Sequence, residues 1–200
     1  MSAAPRESYS VTSLLDVAVE VFNERGYDGT SMGDLARALG ISKSSIYHHV
    51  TGKSALLELA LDRALTALFA VLDEPASTHG PARQRLEHVL RRSVEVLDAE
   101  LPFVTLLLRV RGNSEVELAA LDRRREFDRR VAALVDEAVA EGSLRRDLDP
   151  ALVTKLVFGT VNSLVEWYRP ERGSSVDEVA DTLVILVLRG LERAPDPADR

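Results

Sequence analysis

The sequence has no cysteine, which removes disulfides, iron–sulfur clusters, zinc fingers and thiol catalysis from consideration. Histidine is scarce: His48, His49, His79 and His88 are the only four. Adjacent residues on a helix diverge by about 100°, so His48 and His49 do not converge on one ion. No Glu-x-x-His spacing occurs, and a carboxylate–histidine diiron bundle is therefore not expected. The chain shows no glycine-rich phosphate loop, no internal repeat and no alternation of strand period. It offers no Ser-His-Asp set, so an enzyme fails on inventory, and neither cofactor nor metal is expected. The longest uninterrupted aliphatic run, Leu183 to Leu188, is far too short to cross a bilayer. The opening "MSAAPRES" is not followed by the apolar stretch of a secretory leader. A cytoplasmic protein without a membrane partner is expected.

What is present is ordinary globular material, 46% hydrophobic and 28% charged, with a net charge of −7 over 200 residues. The acid is unevenly placed. Residues 1–55 carry five Lys/Arg against six Asp/Glu, and the remainder carries twenty against twenty-six. Within the first part lies "GISKSSIYHHVTGK", residues 40–53, which holds two of the three lysines and no carboxylate. Overall charge governs solubility, whereas a local patch decides what binds, and this patch suits a polyanion.

The periodicity is helical and the expected fold class is all-α. Val11, Leu14, Leu15, Ala18, Val21 and Phe22 form an apolar stripe that Gly26 ends. Ser31 and Asp34 make a capping-box pattern before Met32, Leu35, Ala36 and Leu39, and Gly40 is placed to stop that short helix. Ile41 reads as a buried anchor, and Ser42 caps a second short helix carrying Ile46, Tyr47 and Val50. A long helix opens at Lys53 and runs through Phe69, and the Pro, Gly and Ser content of 73–82 reads as a loop. Further helices are expected at 82–99, 101–111, 114–141, 149–168 and 175–193, with Asp149-Pro150 and Ser175-x-x-Glu178 as start signals. The organisation expected is a DNA-binding domain at 1–55, a ligand-binding and dimerisation domain at 56–194, and a disordered tail at 195–200.

Two short helices around a tight glycine turn make a helix-turn-helix, whose second helix enters the major groove. Lys43, Ser44 and Ser45 then reach base edges from its first turn. Tyr47 and His48 reach phosphates one turn later, and Lys53 joins the free amides of the next helix in a further phosphate site. "LLDVAVEVFNERGYDGTSMGDLARALGISKSSIYHHVTGKSALL" resembles the DNA-binding domain of the TetR family (TetR/AcrR-like) of bacterial transcriptional regulators. The likeness covers roughly residues 11–57: Phe-x-x-x-Gly-Tyr, the Thr-Ser start, Ala-x-x-x-Gly-Ile-Ser-Lys, Tyr-x-His and Lys-x-x-Leu-Leu. It implies that Thr30, Lys43, Tyr47, His48 and Lys53 stand at operator-contacting positions. Val50, Gly52 and Ser44 depart from the family's usual residues, the first two touching packing and capping and the third the base preference.

In the last two helices apolar residues point in every direction, so burial all round is expected. The resemblance implies pairing with a second copy as a homodimer, matching a palindromic double-stranded operator, with Leu156, Leu164, Leu183, Leu186 and Val187 at the interface. It also implies a pocket for a small-molecule effector. Candidate lining residues are Phe69, Leu90, Phe103, Leu107, Phe127, Phe158, Asn162, Trp167 and Tyr168, with Arg109 and Arg111 as anion-binding groups after the apolar run "FVTLLL". Arg123, Arg124, Arg125, Arg129 and Arg130 are interleaved with carboxylates and read as a solvated salt-bridge lattice. The function expected is a repressor released by its effector, an acyl-CoA thioester or another apolar organic anion. The alternatives are an efflux regulator sensing neutral or cationic drugs, for which Glu166 is the candidate carboxylate, and a helical protein-interaction adaptor without DNA binding.

Overall fold

Caps set where the helices begin. The computed structural model describes residues 10–171 and 173–192, and "MSAAPRES" and the tail at 195–200 lie outside them. Ser10 caps α1 (Val11–Arg25). Ser31 and Asp34 cap α2 (Met32–Leu39) reciprocally, the amide of Asp34 donating to Ser31 Oγ and the amide of Ser31 to Asp34 Oδ2. Ser42 caps α3 (Lys43–Tyr47). Next come α4 (Lys53–Asp73), α5 (Pro75–Thr78), α6 (Ala82–Ala99) and α7 (Leu101–Arg109). Ser114 caps α8 (Glu115–Ala140), and Asp149 with Pro150 starts α9 (Pro150–Asn162). After α10 (Leu164–Trp167), the Ser175–Glu178 capping box starts α11 (Val176–Leu191).

Two elements differ from the periodicity reading. The segment expected as a loop contains the single turn α5, held by Ser77 Oγ donating to the Val71 carbonyl at 2.5 Å. The helix expected over 149–168 breaks at Ser163, whose hydroxyl donates to the Thr160 carbonyl, so α9 and α10 are separate. The only strand-like pairing among the described residues is an isolated bridge between Leu144 and Glu192.

Apolar side chains gather into two cores. One is built by α1, α2, α3 and the first half of α4, and it also takes Phe103, Leu106 and Leu107 from α7 and Ala120 from α8. The other joins the end of α4 to α6, α8, α9, α10 and α11. Phe69 and Val104 pack against both, so α4 and α7 belong to both cores. The boundary expected at 55/56 thus falls inside α4, within the first core.

The expectation that α11 is buried all round does not hold for a single chain. Leu183, Val184 and Leu188 are buried, whereas Ile185 and Leu186 are 48% and 70% exposed. On α9, Leu152 and Leu156 are 53% and 65% exposed. Of the residues expected at a dimer interface, Leu164 and Leu183 are committed to the chain's own core and Val187 is half-buried against it. Leu156 and Leu186 stay outside. Val153 and Val157 of α9 and Val187 and Leu191 of α11 border one small gap, while α9 packs mainly on α8 and α11 on α6. Among the described residues, no helix is long and apolar enough to cross a membrane.

Candidate DNA-reading surface and internal cavity

Gly40 turns α2 into α3 with a left-handed φ of 67°, a conformation that costs a side-chain-bearing residue energy. The amide of Ile41 then donates to the Ala36 carbonyl at 3.1 Å, closing the turn. Ile41 is half-buried rather than a fully buried anchor. Beneath α3, Ile46 is wholly buried and Val50 nearly so, on Leu35, Ala36 and Leu39. Lys43, Ser44, Tyr47, His48 and His49 face outward, Tyr47 with 53% exposure. The hydroxyls of Ser44 and Ser45 each lie 2.8 Å from Ser42 Oγ, which gathers three hydroxyls at the start of the helix. Lys43 lies over Gly33 of α2, where an added Cβ would come within 3.0 Å of its Cε.

Two expected operator contacts are otherwise employed. Thr30 is buried and its hydroxyl donates to the Gly26 carbonyl at 2.7 Å, so its side chain ties the end of α1 to the start of α2. Lys53 Nζ donates to the Tyr27 carbonyl at 2.7 Å and sits 4.2 Å from the centre of the Tyr27 ring. It pins the start of α4 to the α1–α2 loop, and only its remaining N–H groups are open to a phosphate. The N-cap of α4 is Gly52 without a side-chain cap, which leaves the first amides of that helix for an external anion.

Where α1 meets α7, Asn23 Nδ2 donates to the Pro102 carbonyl at 2.8 Å, and Arg109 donates to the Asn23 carbonyl at 2.6 Å. Asn23 Oδ1 is buried without a hydrogen-bond partner. The loop after α7 is organised by Glu117, whose Oε2 accepts from the amides of Arg111, Gly112 and Asn113 at 2.8, 2.7 and 3.0 Å. Burial alone would raise the Glu117 carboxyl, but the three amides outweigh it and hold it below the ordinary range. Arg109 and Arg111 are exposed and border a cleft between α7 and α1, apart from the cavity walled by α4, α6, α7, α8 and α9.

The cavity lies on the other side of α7. It has a volume of about 210 Å³ and is walled by Ala64 and Leu68 of α4, Val96 and Leu97 of α6, and Val104, Leu107 and Leu108 of α7. Phe127 of α8 and Phe158, Gly159 and Asn162 of α9 complete the walls. Of the candidate lining residues, Leu107, Phe127, Phe158 and Asn162 border this cavity. Phe69 packs edge-on behind Phe127 at 5.8 Å, outside the lining. Leu90 and Tyr168 belong to the second core, and Phe103 to the first, under the Arg63 guanidinium at 4.0 Å. Trp167 is 60% exposed on α10, and Glu166 is exposed beside it.

Besides Asn162, the polar lining is Ser93, Arg124, Asp128 and Lys155, none of which the sequence reading assigns to a pocket. Four arginines of the expected lattice do pair outward, Arg123 with Asp62, Arg125 with Asp122, Arg129 with Glu126 and Arg130 with Asp73. Arg124 instead turns inward. It shares the 3–4 spacing of Ala120, Phe127 and Val131, all buried, and that spacing was the available signal. Burial pulls the Arg124 guanidinium down, with Asp128 opposing, and pushes the Asp128 carboxyl up against Arg124 and Lys155. His88 is half-buried and its Nε2 lies 2.6 Å from Glu74 Oε2.

Comparison with known proteins gives a consistent picture. Residues 14–60 match the model of bacterial regulatory proteins of the tetR family, and residues 79–191 match that of the tetracyclin repressor-like C-terminal domain. The HTH-type transcriptional repressor KstR2 of Rhodococcus jostii (strain RHA1) is 31% identical over 188 residues, covering 90% of each chain. The crystal structure of SCO3833, a TetR-family member from Streptomyces coelicolor A3, is 59% identical, covers 96% of both chains and superposes with a TM-score of 0.85. AibR, crystallised with isovaleryl coenzyme A and operator DNA, shares the fold at 21% identity, with 88% of this chain and 96% of that one covered and a TM-score of 0.76.

Proposed function

The chain belongs to the TetR family of bacterial regulatory proteins, DNA-binding transcription regulators and not enzymes, and on that premise we propose a homodimeric repressor of a palindromic operator that a small effector releases. The carrying observation is that α4 and α7 each contribute residues both to the core that holds α3 and to the cavity wall, with Ala64 and Leu107 shared between the two. A ligand that changes the spacing of those two helices biases the position of α3 relative to its partner copy, a population shift between operator-matched and mismatched states. Lys43, Ser44, Ser45, Tyr47 and His48 are the proposed contacts, with the amides at the start of α4 and Lys53 as a phosphate site. Residues 1–55 are the proposed operator-binding part and 56–194 the effector-binding and dimerising part. The exposed leucines of α9 and α11 are proposed to meet their copies.

The leading effector class is an acyl-CoA thioester or another apolar organic anion. The apolar walls suit an acyl group, and AibR, a protein of the same fold, was crystallised with such a thioester. At about 210 Å³ the cavity falls below the roughly 300–1,000 Å³ of sites for drug-sized ligands, so it encloses an acyl group and not a whole coenzyme. Asp128 in the lining favours the cationic-drug reading, but Arg124 and Lys155 outnumber it. The test is fluorescence anisotropy on a palindrome from the gene's own promoter, challenged with acyl thioesters, free acids, and neutral and cationic drugs. Release by thioesters or acids is expected. Release only by neutral or cationic compounds overturns the effector class, and salt-independent binding of the duplex overturns the operator reading.

A further inference from the structure

Among the described residues, Arg124 is the cation of the α8 cluster that forms no ion pair, although the Asp128 charge acts on it from a distance. Its only hydrogen bond among the described residues is to the Leu107 carbonyl, at a long 3.5 Å. Asp128, one turn on, lines the same cavity without forming an ion pair with it. Burying a guanidinium in this way is strongly unfavourable unless something else supplies the acceptor. From α9, Lys155 adds a second cation to the lining, and it is exposed beside the equally exposed Gly159, which places the mouth of the cavity there. The lining thus holds two cations, one carboxylate, two neutral polar side chains (Ser93 and Asn162) and otherwise apolar walls.

We propose that Arg124, with Lys155 at the mouth, is the anion-binding end of this cavity, and that the ligand carries a negative group beside an apolar acyl body. This rests on the ligand-responsive reading above and names the residue that gives it chemical selectivity. The Arg124 guanidinium offers a planar fork suited to a carboxylate, as in a free acid, whereas the phosphates of a thioester's carrier would stand beyond the enclosed acyl group, at the mouth where Lys155 lies. Asp128 works against the anion and limits how much negative charge the site takes.

Three probes of one chain length decide the matter: octanoate, octanol and octanoyl-CoA, titrated calorimetrically into the full-length wild type, R124M and D128N. The wild type is expected to bind octanoate or octanoyl-CoA at least about tenfold more tightly than octanol, the range of a charge-assisted hydrogen bond. Which of the two charged probes wins identifies the source of the anion. R124M loses the preference and keeps its affinity for octanol, while D128N binds the charged probes more tightly and octanol as before. R124M without ligand should melt at or above the wild-type temperature, because it removes a desolvated charge, and should bind the operator normally. An arginine kept for structure would lower the melting temperature instead, and that result overturns the proposal. So does an R124M that keeps the wild-type preference, or a wild type that binds octanol as tightly as the charged probes. If no probe, charged or neutral, binds or releases the operator, the ligand-responsive reading falls along with it. Binding without discrimination sinks this inference alone.

Discussion

Removing the Glu117 carboxylate should loosen the α7–α8 junction by an amount that can be worked from its contacts. The side chain is 4% exposed, and all three amides it receives converge on one oxygen, Oε2. A buried amide left without an acceptor costs about 1–3 kcal/mol. Simple addition over three amides overshoots, because Arg111 and Asn113 are exposed and their amides regain water in the truncated variant. Glu117→Ala is therefore expected to cost about 3 kcal/mol, a fall in Tm of about 6–12 °C for a chain of this length. Glu117→Gln keeps an oxygen at the point where the amides converge but makes it neutral, and should cost about 1 kcal/mol.

The acid limb separates the two effects. The folded-state pKa of Glu117 is depressed below its ordinary value of 4.5, because the amides of Asn113, Arg111 and Gly112 outweigh the opposing effect of burial. A depressed carboxylate contributes stability that is complete above the unfolded-state value and is lost as the pH falls through the folded-state one. Calorimetry from pH 7 downward should show wild-type Tm dropping below pH 4.5 more steeply than that of Glu117→Gln. A Glu117→Gln protein with the wild-type Tm at pH 7 and the same acid limb would refute the reasoning.

Leu186→Glu puts a carboxylate where a lone chain is 70% exposed, so the protomer should still fold. The dimer and operator affinity should both be lost, and an unchanged mass by light scattering means that this face is not the interface. Lys43→Ala and Tyr47→Phe, both at exposed positions, should each weaken operator binding by about 1–3 kcal/mol with Tm unmoved. Lys53→Ala should flatten the salt dependence by about one unit and also lower Tm, since it releases the Tyr27 carbonyl; a Tm equal to wild type removes that structural role.

The helices were legible because their starts are local chemistry. Ser31, Ser42, Asp149 and Ser175 cap in the structure as their neighbours in the chain imply. The reading of α3 was equally local, since Ile46 and Val50 inward and Lys43 and Tyr47 outward follow from helical spacing. What failed was tertiary. Nothing in "FVTLLLRVRG" says that Arg109 reaches back to Asn23, 86 residues earlier, and that its guanidinium therefore lies outside the pocket. Thr30 matched a family pattern by type, yet its hydroxyl had a nearer acceptor in Gly26. Arg124 was hidden by its neighbours: within a run of paired arginines, composition points to a lattice, and only the phase relative to Phe127 marks it as inward.

Helical phase also gives α7 a place in both the cavity wall and the first core. Leu107 contributes both to the first core and to the cavity wall, and its carbonyl accepts the long hydrogen bond from Arg124. Four residues before it on α7, Phe103 packs into the first core, and the Pro102 carbonyl holds Asn23 of α1. An occupant of the cavity would therefore press on a helix that also packs against α1, as the proposed release requires. The contact it works against is imperfect. Asn23 accepts and donates across the junction through its carbonyl and Nδ2, while its buried Oδ1 has no partner, a deficit of about 1–3 kcal/mol. A few kcal/mol is also the gap that separates the states of a ligand-switched protein. A fully satisfied junction would hold α1 to α7 more firmly, and a ligand of modest differential affinity would then have less effect on the position of α3.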